Sequence, residues 1–242
     1  MKKIIAILFF GTLFLGVACK KDYFHDTGVQ KGVFDGSSLE FIHSRPDLFD
    51  SLSKVIKLAG MEEFIDKNPN SFFAAPDYTI QRSVNALNKF LYDNGKDTVV
   101  RLEQIHPDIW KSYLSLYIFN KVLFLKDVPQ IDTLNMNVYP GQGFATVANQ
   151  NMNLGVLYND VKSSGSGGSQ VVKYAGYRQL YISYINNLSD LQALGAMINA
   201  PVATSNIKTN NGVVHVLNLN KHNFGFDTFK FISSVYSKGL VN

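Results

Sequence analysis

The chain has 242 residues, of which 46% are apolar and 17% charged, and its formal net charge is +4. This balance supports one folded domain with a sizeable core and excludes a disordered chain. The basic residues are scattered rather than grouped, which argues against a nucleic-acid partner.

The first 18 residues have the pattern of an export signal. Lys2 and Lys3 precede an uncharged, mostly apolar run over residues 4–17. At about 1.5 Å per helical residue, this run is shorter than the roughly 20 apolar residues that a bilayer core requires. We therefore interpret residues 1–18 as a signal peptide rather than a membrane-spanning helix.

Cys19 is the only cysteine of the chain, so no intrachain disulfide can form. The segment Leu15-Gly16-Val17-Ala18-Cys19 resembles the signal of a bacterial lipoprotein, although Gly16 stands where a leucine is commoner. The resemblance implies that Cys19 becomes the N-terminus and carries acyl chains that hold the protein on a membrane. The predicted localisation is export, with a lipid anchor in the cell envelope at the outer membrane. An incidental cysteine after an ordinary signal and an uncleaved anchor are the alternatives.

Helical spacing dominates the first half of the chain after the signal peptide. Residues 19–36 mix charge, glycine and single aromatic residues without a period, and predict a tether. Apolar residues then recur at helical spacing, which predicts helices over residues 46–59, 61–65 and 78–93, and from residue 107 onward. Residues 71–75 predict a short strand, because they are apolar and Pro76 favours extended backbone in the residue before it.

Strand-like segments dominate the second half. Apolar or alternating stretches predict strands over residues 134–139, 154–158, 171–174 and 180–185. Residues 163–169, with the sequence SSGSGGS, predict a flexible connection, and residues 189–198 predict a helix. The turn Asn210-Asn211-Gly212, between two apolar runs, predicts a β-hairpin near the end. Helices followed by strands predict an α+β fold.

Two segments resemble the motifs of the fasciclin domain. SFFAAPDYTI, residues 71–80, is similar to the first motif, in which a strand ending in Phe73-Ala74 enters a turn that closes with Asp77. NGVVHVLNL, residues 211–219, is similar to the second motif, an Asn211-Gly212 turn followed by a strand that contains His215. The resemblance implies a fasciclin-like α+β domain over residues 37–219. Its first-half helices would pack on a mainly antiparallel β-sheet wedge or sandwich.

The chain departs from the family pattern in three places. Ala75-Pro76 replaces the usual Pro-Thr before the aspartate. Tyr117-Ile118-Phe119-Asn120 stands where the family often has a Tyr-His pair, so the receptor-binding role of animal relatives does not transfer. Residues 220–242 lie beyond the second motif and are predicted to be a C-terminal extension of unknown role.

The motif residues themselves predict structural roles. The carboxylate of Asp77 is expected to accept hydrogen bonds from free backbone N–H groups at the start of its helix. The strand over residues 213–219 is apolar on both faces and is therefore expected to be central in the sheet. His215 is then a packed histidine with one hydrogen-bonded nitrogen, rather than a catalytic base.

Known catalytic and metal-binding patterns are incomplete in the sequence. The histidines lack metal-ligand spacing, and they are His25, His43, His106, His215 and His222. Ser51-Leu-Ser-Lys54 matches the Ser-x-x-Lys of penicillin-binding enzymes, but the partner motifs of that class are missing. We therefore predict no catalytic residue, no metal and no cofactor.

Aromatic residues in the second half are the remaining lead towards a ligand. They are Tyr139, Phe144, Tyr158, Tyr174, Tyr177, Tyr181 and Tyr184. Core packing explains most of them, and exposed members could stack on sugars or seat a protein. The predicted function is a lipid-anchored, extracytoplasmic, non-catalytic binding or adhesion module with a protein or glycan ligand. A carbohydrate-binding accessory of outer-membrane glycan uptake and a hydrolase with an unrecognised site are the alternatives.

Overall fold

The structure is a computed structural model that describes residues 32–165, 168–191, 193 and 195–241. The predicted signal peptide, the predicted lipidation site Cys19 and most of the predicted tether lie outside the described residues. Residues 32–36 of that tether are described. Val33 and Phe34 lie against Lys208, whose carbonyl oxygen accepts a hydrogen bond from the Phe34 N–H.

Helices occupy most of residues 32–114, as the apolar periodicity predicts. They are α1 (Ser38–His43), α2 (Pro46–Leu58), α3 (Glu62–Lys67), α4 (Asp77–Asp93) and α5 (Pro107–Leu114), with strand β1 (Asn70–Ala74) between α3 and α4. Helix α1 was not predicted. It begins with a capping box, in which the Ser37 side chain accepts from the Glu40 N–H and the Glu40 side chain accepts from the Ser37 N–H.

Nine further strands follow in the remainder of the described chain. They are β2 (Ile118–Phe119), β3 (Gln130–Ile131), β4 (Gln142–Ala145), β5 (Asn151–Tyr158), β6 (Val161–Gly165), β7 (Gly168–Val172), β8 (Arg178–Ile185), β9 (Met197–Lys208) and β10 (Gly212–Leu217). The main sheet has the order β2-β1-β10-β9-β8-β5-β3, with β4 also paired to β5, and β6 and β7 form a separate pair.

The sheet is mainly antiparallel, and the α+β class is confirmed. Parallel pairing joins β1 to β10 and β3 to β5, whereas the other strand pairs are antiparallel. The predicted Asn-Gly hairpin is present as β9 and β10. Strand β10 lies between β1 and β9 and is buried along its whole length, so its predicted central position is also confirmed.

The last helix, α6 (Thr228–Lys238), packs against the earlier helices. Phe231 is fully buried, with its ring centroid 5.2 Å from that of Tyr113 and 5.8 Å from that of Trp110. On α6 the Tyr236 ring meets Phe90 of α4 edge-on at 5.3 Å. Residues of the predicted C-terminal extension therefore belong to the same hydrophobic core as the helices of the first half.

Three predictions about local structure are wrong. The predicted strand over residues 134–139 is a series of turns in which the Asp132 carboxylate accepts from the Leu134 N–H, and Leu134 is 94% exposed. None of the described residues in the range 189–198, predicted to be a helix, is helical: β9 already begins at Met197, and Gly195 has a positive φ. Of residues 163–169, predicted as a flexible connection, residues 163–165 and 168–169 belong to the paired antiparallel strands β6 and β7.

Candidate functional site

The two segments that resemble the fasciclin motifs lie side by side at the centre of the sheet. Strand β1 of the first segment runs parallel to β10 of the second, with Phe73 opposite His215 and Ala74 opposite Val216. The Phe73 ring lies 4.8 Å from the His215 ring and 5.5 Å from Phe119, and Phe73 and Ala74 are fully buried. These residues therefore build the core rather than a surface.

The side chain of Asn211 connects the β9–β10 turn to two helices. Its Oδ1 accepts a hydrogen bond from the Ser38 N–H at 2.8 Å, at the start of α1. Its Nδ2 donates to the carbonyl oxygens of Ile65 at 2.8 Å and Asn68 at 2.9 Å, at the end of α3. One amide thus satisfies backbone groups that both helix ends leave free.

Gly212 allows the closest approach of two strands in this region. A Cβ built on Gly212 would overlap the carbonyl oxygen of Asn70 in β1, well inside the 3.0 Å that real Cβ atoms essentially never breach. The neighbouring atom is backbone, so no side-chain movement can relieve the contact. The β1–β10 pairing therefore requires glycine at this position.

His215 uses both ring nitrogens inside the fold, one more than the sequence predicts. Nδ1 accepts from the Asn206 N–H at 3.1 Å, so Nε2 carries the proton and donates to the Leu123 carbonyl oxygen at 2.9 Å. Burial lowers the pKa of His215 to about 4. The ring is therefore neutral at pH 7, and neither nitrogen is available to a substrate.

Tyr117 and His222 form a second buried polar pair. The Tyr117 hydroxyl accepts from the Gly225 N–H at 2.7 Å, so its own proton points to His222 Nε2, 2.6 Å away. Burial lowers the pKa of His222 to about 3, with a smaller contribution from Arg82, and burial raises the pKa of Tyr117 well above its ordinary value. The sequence pattern shows no histidine beside Tyr117, because this partner lies 105 residues further along the chain.

Asp77 caps a helix, but not the helix that it begins. Helix α4 has no side-chain cap at its start, whereas Asp77 Oδ1 accepts from the Leu52 N–H in α2 at 3.0 Å. Helix α2 is interrupted at Phe49, whose φ of −135° and ψ of 22° are not helical. The residues after the interruption have free N–H groups, as at any helix start. The predicted capping role is thus corrected in its recipient.

Burial raises the pKa of the half-buried Asp77 carboxyl, and hydrogen bonds from the Ser51 and Leu52 N–H groups offset part of this shift. We expect Asp77→Ala to lower the free energy of unfolding by about 1 kcal/mol, as for the loss of other helix caps. Asp77→Asn keeps an acceptor oxygen and is expected to lose less. Urea unfolding measures both, and Asp93→Ala at the exposed end of α4 is the matched control. Equal effects of Asp77→Ala and Asp93→Ala would contradict the capping role.

An open groove runs between α2, α4 and residues 99–103. It encloses about 710 Å³, and Ser51, Lys54 and Asp77 are among the residues that line it. The Lys54 ammonium donates to the Asp50 carboxylate at 2.7 Å, and this hydrogen bond raises the pKa of Lys54. A protonated, paired lysine cannot activate Ser51, so the Ser-x-x-Lys spacing has no catalytic geometry here.

Most aromatic residues of the second half are used in packing. Phe144, Tyr158 and Tyr184 pack against the core. Tyr139 and Tyr174 meet edge-on at 5.4 Å, and the Tyr174 hydroxyl donates to Asp132 at 2.9 Å. Tyr177 differs from these residues, because it is 67% exposed.

Gln179 and Tyr181 lie in β8 on the sheet face opposite the buried Leu180 and Ile182, and Tyr177, which directly precedes β8, continues the same alternation. In the register of β8 on β5, Gln179 lies opposite the half-buried Leu157. We name Leu157, Tyr177, Gln179 and Tyr181 the tyrosine face. Burial, with a smaller contribution from Tyr177, raises the pKa of Tyr181.

Searches of protein-family models and of curated proteins find no match to the chain. Among solved structures, the chain is similar to a FAS1 domain pair from the insect cell adhesion molecule fasciclin I. The TM-score is 0.43, the identity is 14%, and the match covers 75% of this chain. It covers 49% of the fasciclin chain, so this chain spans about half the length of that neighbour.

The described part of the chain contains neither a candidate metal cluster nor a membrane-spanning helix. Within it, no group of three or more His, Cys, Asp or Glu side chains could hold a metal ion. No helix among the described residues is long and apolar enough to span a bilayer.

Proposed function

We propose that this protein is an exported, lipid-anchored, non-catalytic binding module of the adhesion type. The observation that carries the proposal is the use of the motif side chains inside the fold. His215 has both nitrogens hydrogen-bonded to backbone, Asn211 holds two helix ends, and Asp77 caps α2. Polar groups that already have hydrogen-bond partners within the fold serve stability, and they leave function to the outer surface.

Acyl chains on Cys19 would supply the location in this proposal. Each buried methylene contributes about 0.8 kcal/mol, and two chains are enough for stable anchoring. Residues 20–31 would then separate the folded domain from the bilayer. The domain would act by presenting a rigid surface to a partner.

The replacement Cys19→Ser is expected to release the protein from membranes, because the acyl chains need the thiol. Membrane and soluble fractions of expressing bacteria, compared by immunoblotting, give the readout. Lys21→Ser, two positions further along, is the matched control and should remain with the membrane fraction. Retention of Cys19→Ser in the membrane fraction would contradict the anchor, and so would mass spectrometry of a native N-terminus with an unmodified Cys19.

The second candidate is a carbohydrate-binding accessory of glycan uptake at the outer membrane. The exposed ring of Tyr177 favours it, because an aromatic face can stack on the apolar face of a sugar. The two candidates differ in their ligand. An adhesin should retain a defined protein partner and ignore sugars, whereas an accessory should bind polysaccharide.

A further inference from the structure

We propose that the tyrosine face, with the exposed Tyr177 as its aromatic anchor, is a binding site for a neutral pyranose ring of a glycan. The inference rests on the proposed function, because it takes the domain to be a binding module, and it names the ligand class. Three observations carry it: a rigid turn that presents Tyr177, the chemistry of the face, and its lack of charge.

The turn that presents Tyr177 is fixed by many specific contacts. Tyr174 has a φ of 59°, in the left-handed region that a bulky residue rarely adopts. Its N–H donates to the Asp160 carboxylate at 2.9 Å, and its carbonyl oxygen accepts from Arg178 Nη1 at 3.0 Å. A backbone in this region persists because its surroundings fix it, and such residues cluster at functional sites.

Gly176 and Tyr177 in the same turn are also held by hydrogen bonds to Asn159. The Gly176 N–H donates to the Asn159 carbonyl oxygen at 2.6 Å, and a Cβ on Gly176 would lie 2.8 Å from that same oxygen. The Tyr177 carbonyl oxygen accepts from both the backbone N–H and the side-chain Nδ2 of Asn159. The backbone of Tyr177 is therefore held in place by hydrogen bonds, whereas its ring is 67% exposed.

An exposed ring on an ordered backbone contributes little to the free energy of folding, because it buries little apolar area. It does lower the entropy lost on binding, since the backbone that carries the ring is already ordered in the free protein. The arrangement therefore fits a site prepared for a ligand better than it fits a packing role.

The chemistry of the tyrosine face matches a pyranose. The face of a tyrosine ring is negative in its quadrupole, and the axial C–H groups of a sugar present a weakly positive, apolar surface. Gln179 supplies exchangeable hydrogen bonds beside the ring. Its Nε2 donates to the Val202 carbonyl oxygen at 3.3 Å, and its Oε1 accepts from the Tyr181 hydroxyl at 3.4 Å. Both bonds are long, so sugar hydroxyls can replace them at small cost.

Charge complementarity selects a neutral ligand. The four residues of the tyrosine face are uncharged, so a charged peptide or an acidic polysaccharide would lose hydration there without gaining an ion pair. The adjacent cation, Arg178, stacks its guanidinium 3.5 Å from the Tyr158 ring centroid on the opposite side of β8. It also donates to the carbonyl oxygens of Tyr174 and Gly176, so its role is to hold the turn.

The test is biolayer interferometry of the purified full chain on immobilised soluble starch, β-glucan, xylan, galactomannan and carboxylated alginate. We expect saturable binding to at least one of the four neutral polysaccharides. Tyr177→Ala should weaken it roughly tenfold or more, as for other aromatic anchors. Tyr177→Phe, which keeps the ring, and Tyr92→Ala, which removes a tyrosine that is 76% exposed on α4, should bind as the wild type does. Urea unfolding of each variant checks that the fold is intact.

Several outcomes would overturn the proposal. They are absence of binding to all four neutral polysaccharides, binding to alginate alone, and undiminished binding by Tyr177→Ala. Reducing ends of the polysaccharides, measured in the same samples, report cleavage. They distinguish failure of the proposed binding site from failure of the proposed non-catalytic function. Binding that depends on Tyr177 and is accompanied by cleavage would contradict the proposed non-catalytic function but would still support the binding site. Absence of binding, together with membrane retention that still requires Cys19, would contradict the binding site but would still support the lipid-anchored module.

Discussion

Gly212→Ala is expected to remove most of the stability of this protein, by more than about 4 kcal/mol, a loss that few single substitutions reach. The new methyl group would overlap the Asn70 carbonyl oxygen, and relief requires β1 and β10 to move apart. Those strands lie at the centre of the sheet, and their residues in this pairing are buried on both sides. A domain with a typical stability of about 5–15 kcal/mol has little reserve against such a loss.

The matched control for this substitution is Gly143→Ala in β4. A Cβ at Gly143 meets nothing within 4 Å, and the backbone there has no positive φ, so the change is expected to be near neutral. Soluble yield, circular dichroism and the urea midpoint of both variants give the comparison. A Gly212→Ala variant with a wild-type midpoint would show that the β1–β10 contact is not as the structure has it.

The second large effect is a loss of stability as the pH falls from about 6.5 to 4. The pKa values of His215 and His222 are lowered from 6.5 to about 4 and about 3 by burial. In this window the unfolded chain binds protons that the folded chain does not, so unfolding is favoured as the pH falls. The linkage relation gives roughly 3 kcal/mol for each histidine at pH 4.

The two carboxylates with lowered pKa values, Asp47 and Asp108, contribute little to the loss of stability between pH 6.5 and 4. Hydrogen bonds with Arg45 and Lys238 lower the pKa of Asp47 and Asp108, so their stabilisation is lost below the ordinary aspartate value of 3.8. The raised pKa of Asp77 acts with the opposite sign, because its folded form takes up a proton first.

Urea unfolding at pH 7, 5.5 and 4.5 measures the pH effect. His222→Gln should flatten the dependence by about half, and His43→Gln, at an exposed position on α1, should leave it unchanged. Equal stability of the wild type at pH 7 and 4.5 would show that these two imidazoles are not buried in their neutral forms.

The elements that the sequence predicts correctly are those whose signals lie within a few residues. Apolar spacing identifies α2, α4 and α5, and the Asn211-Gly212 turn identifies the final hairpin. Local signals also mislead where two structures share them. The alternation over residues 134–139 is typical of a strand, but Asp132 and Asn135 hydrogen-bond to nearby backbone and close turns instead.

The contacts that define the candidate site are long-range, and composition and spacing do not encode them. Leu52, whose N–H donates to the Asp77 carboxylate, lies 25 residues before it, and His222 reaches Tyr117 from 105 residues further along the chain. The tyrosines are visible in the sequence as a group. Which of them faces water depends on the turn from Tyr174 to Tyr177, whose partners Asn159 and Asp160 come from the preceding hairpin region.

The pairing of β1 with β10 also governs when the protein can fold. Strand β1 pairs with β10, which is synthesised more than half a chain length later. The β1–β10 pairing therefore cannot form until β10 has been synthesised. Topologies with such distant contacts fold slowly.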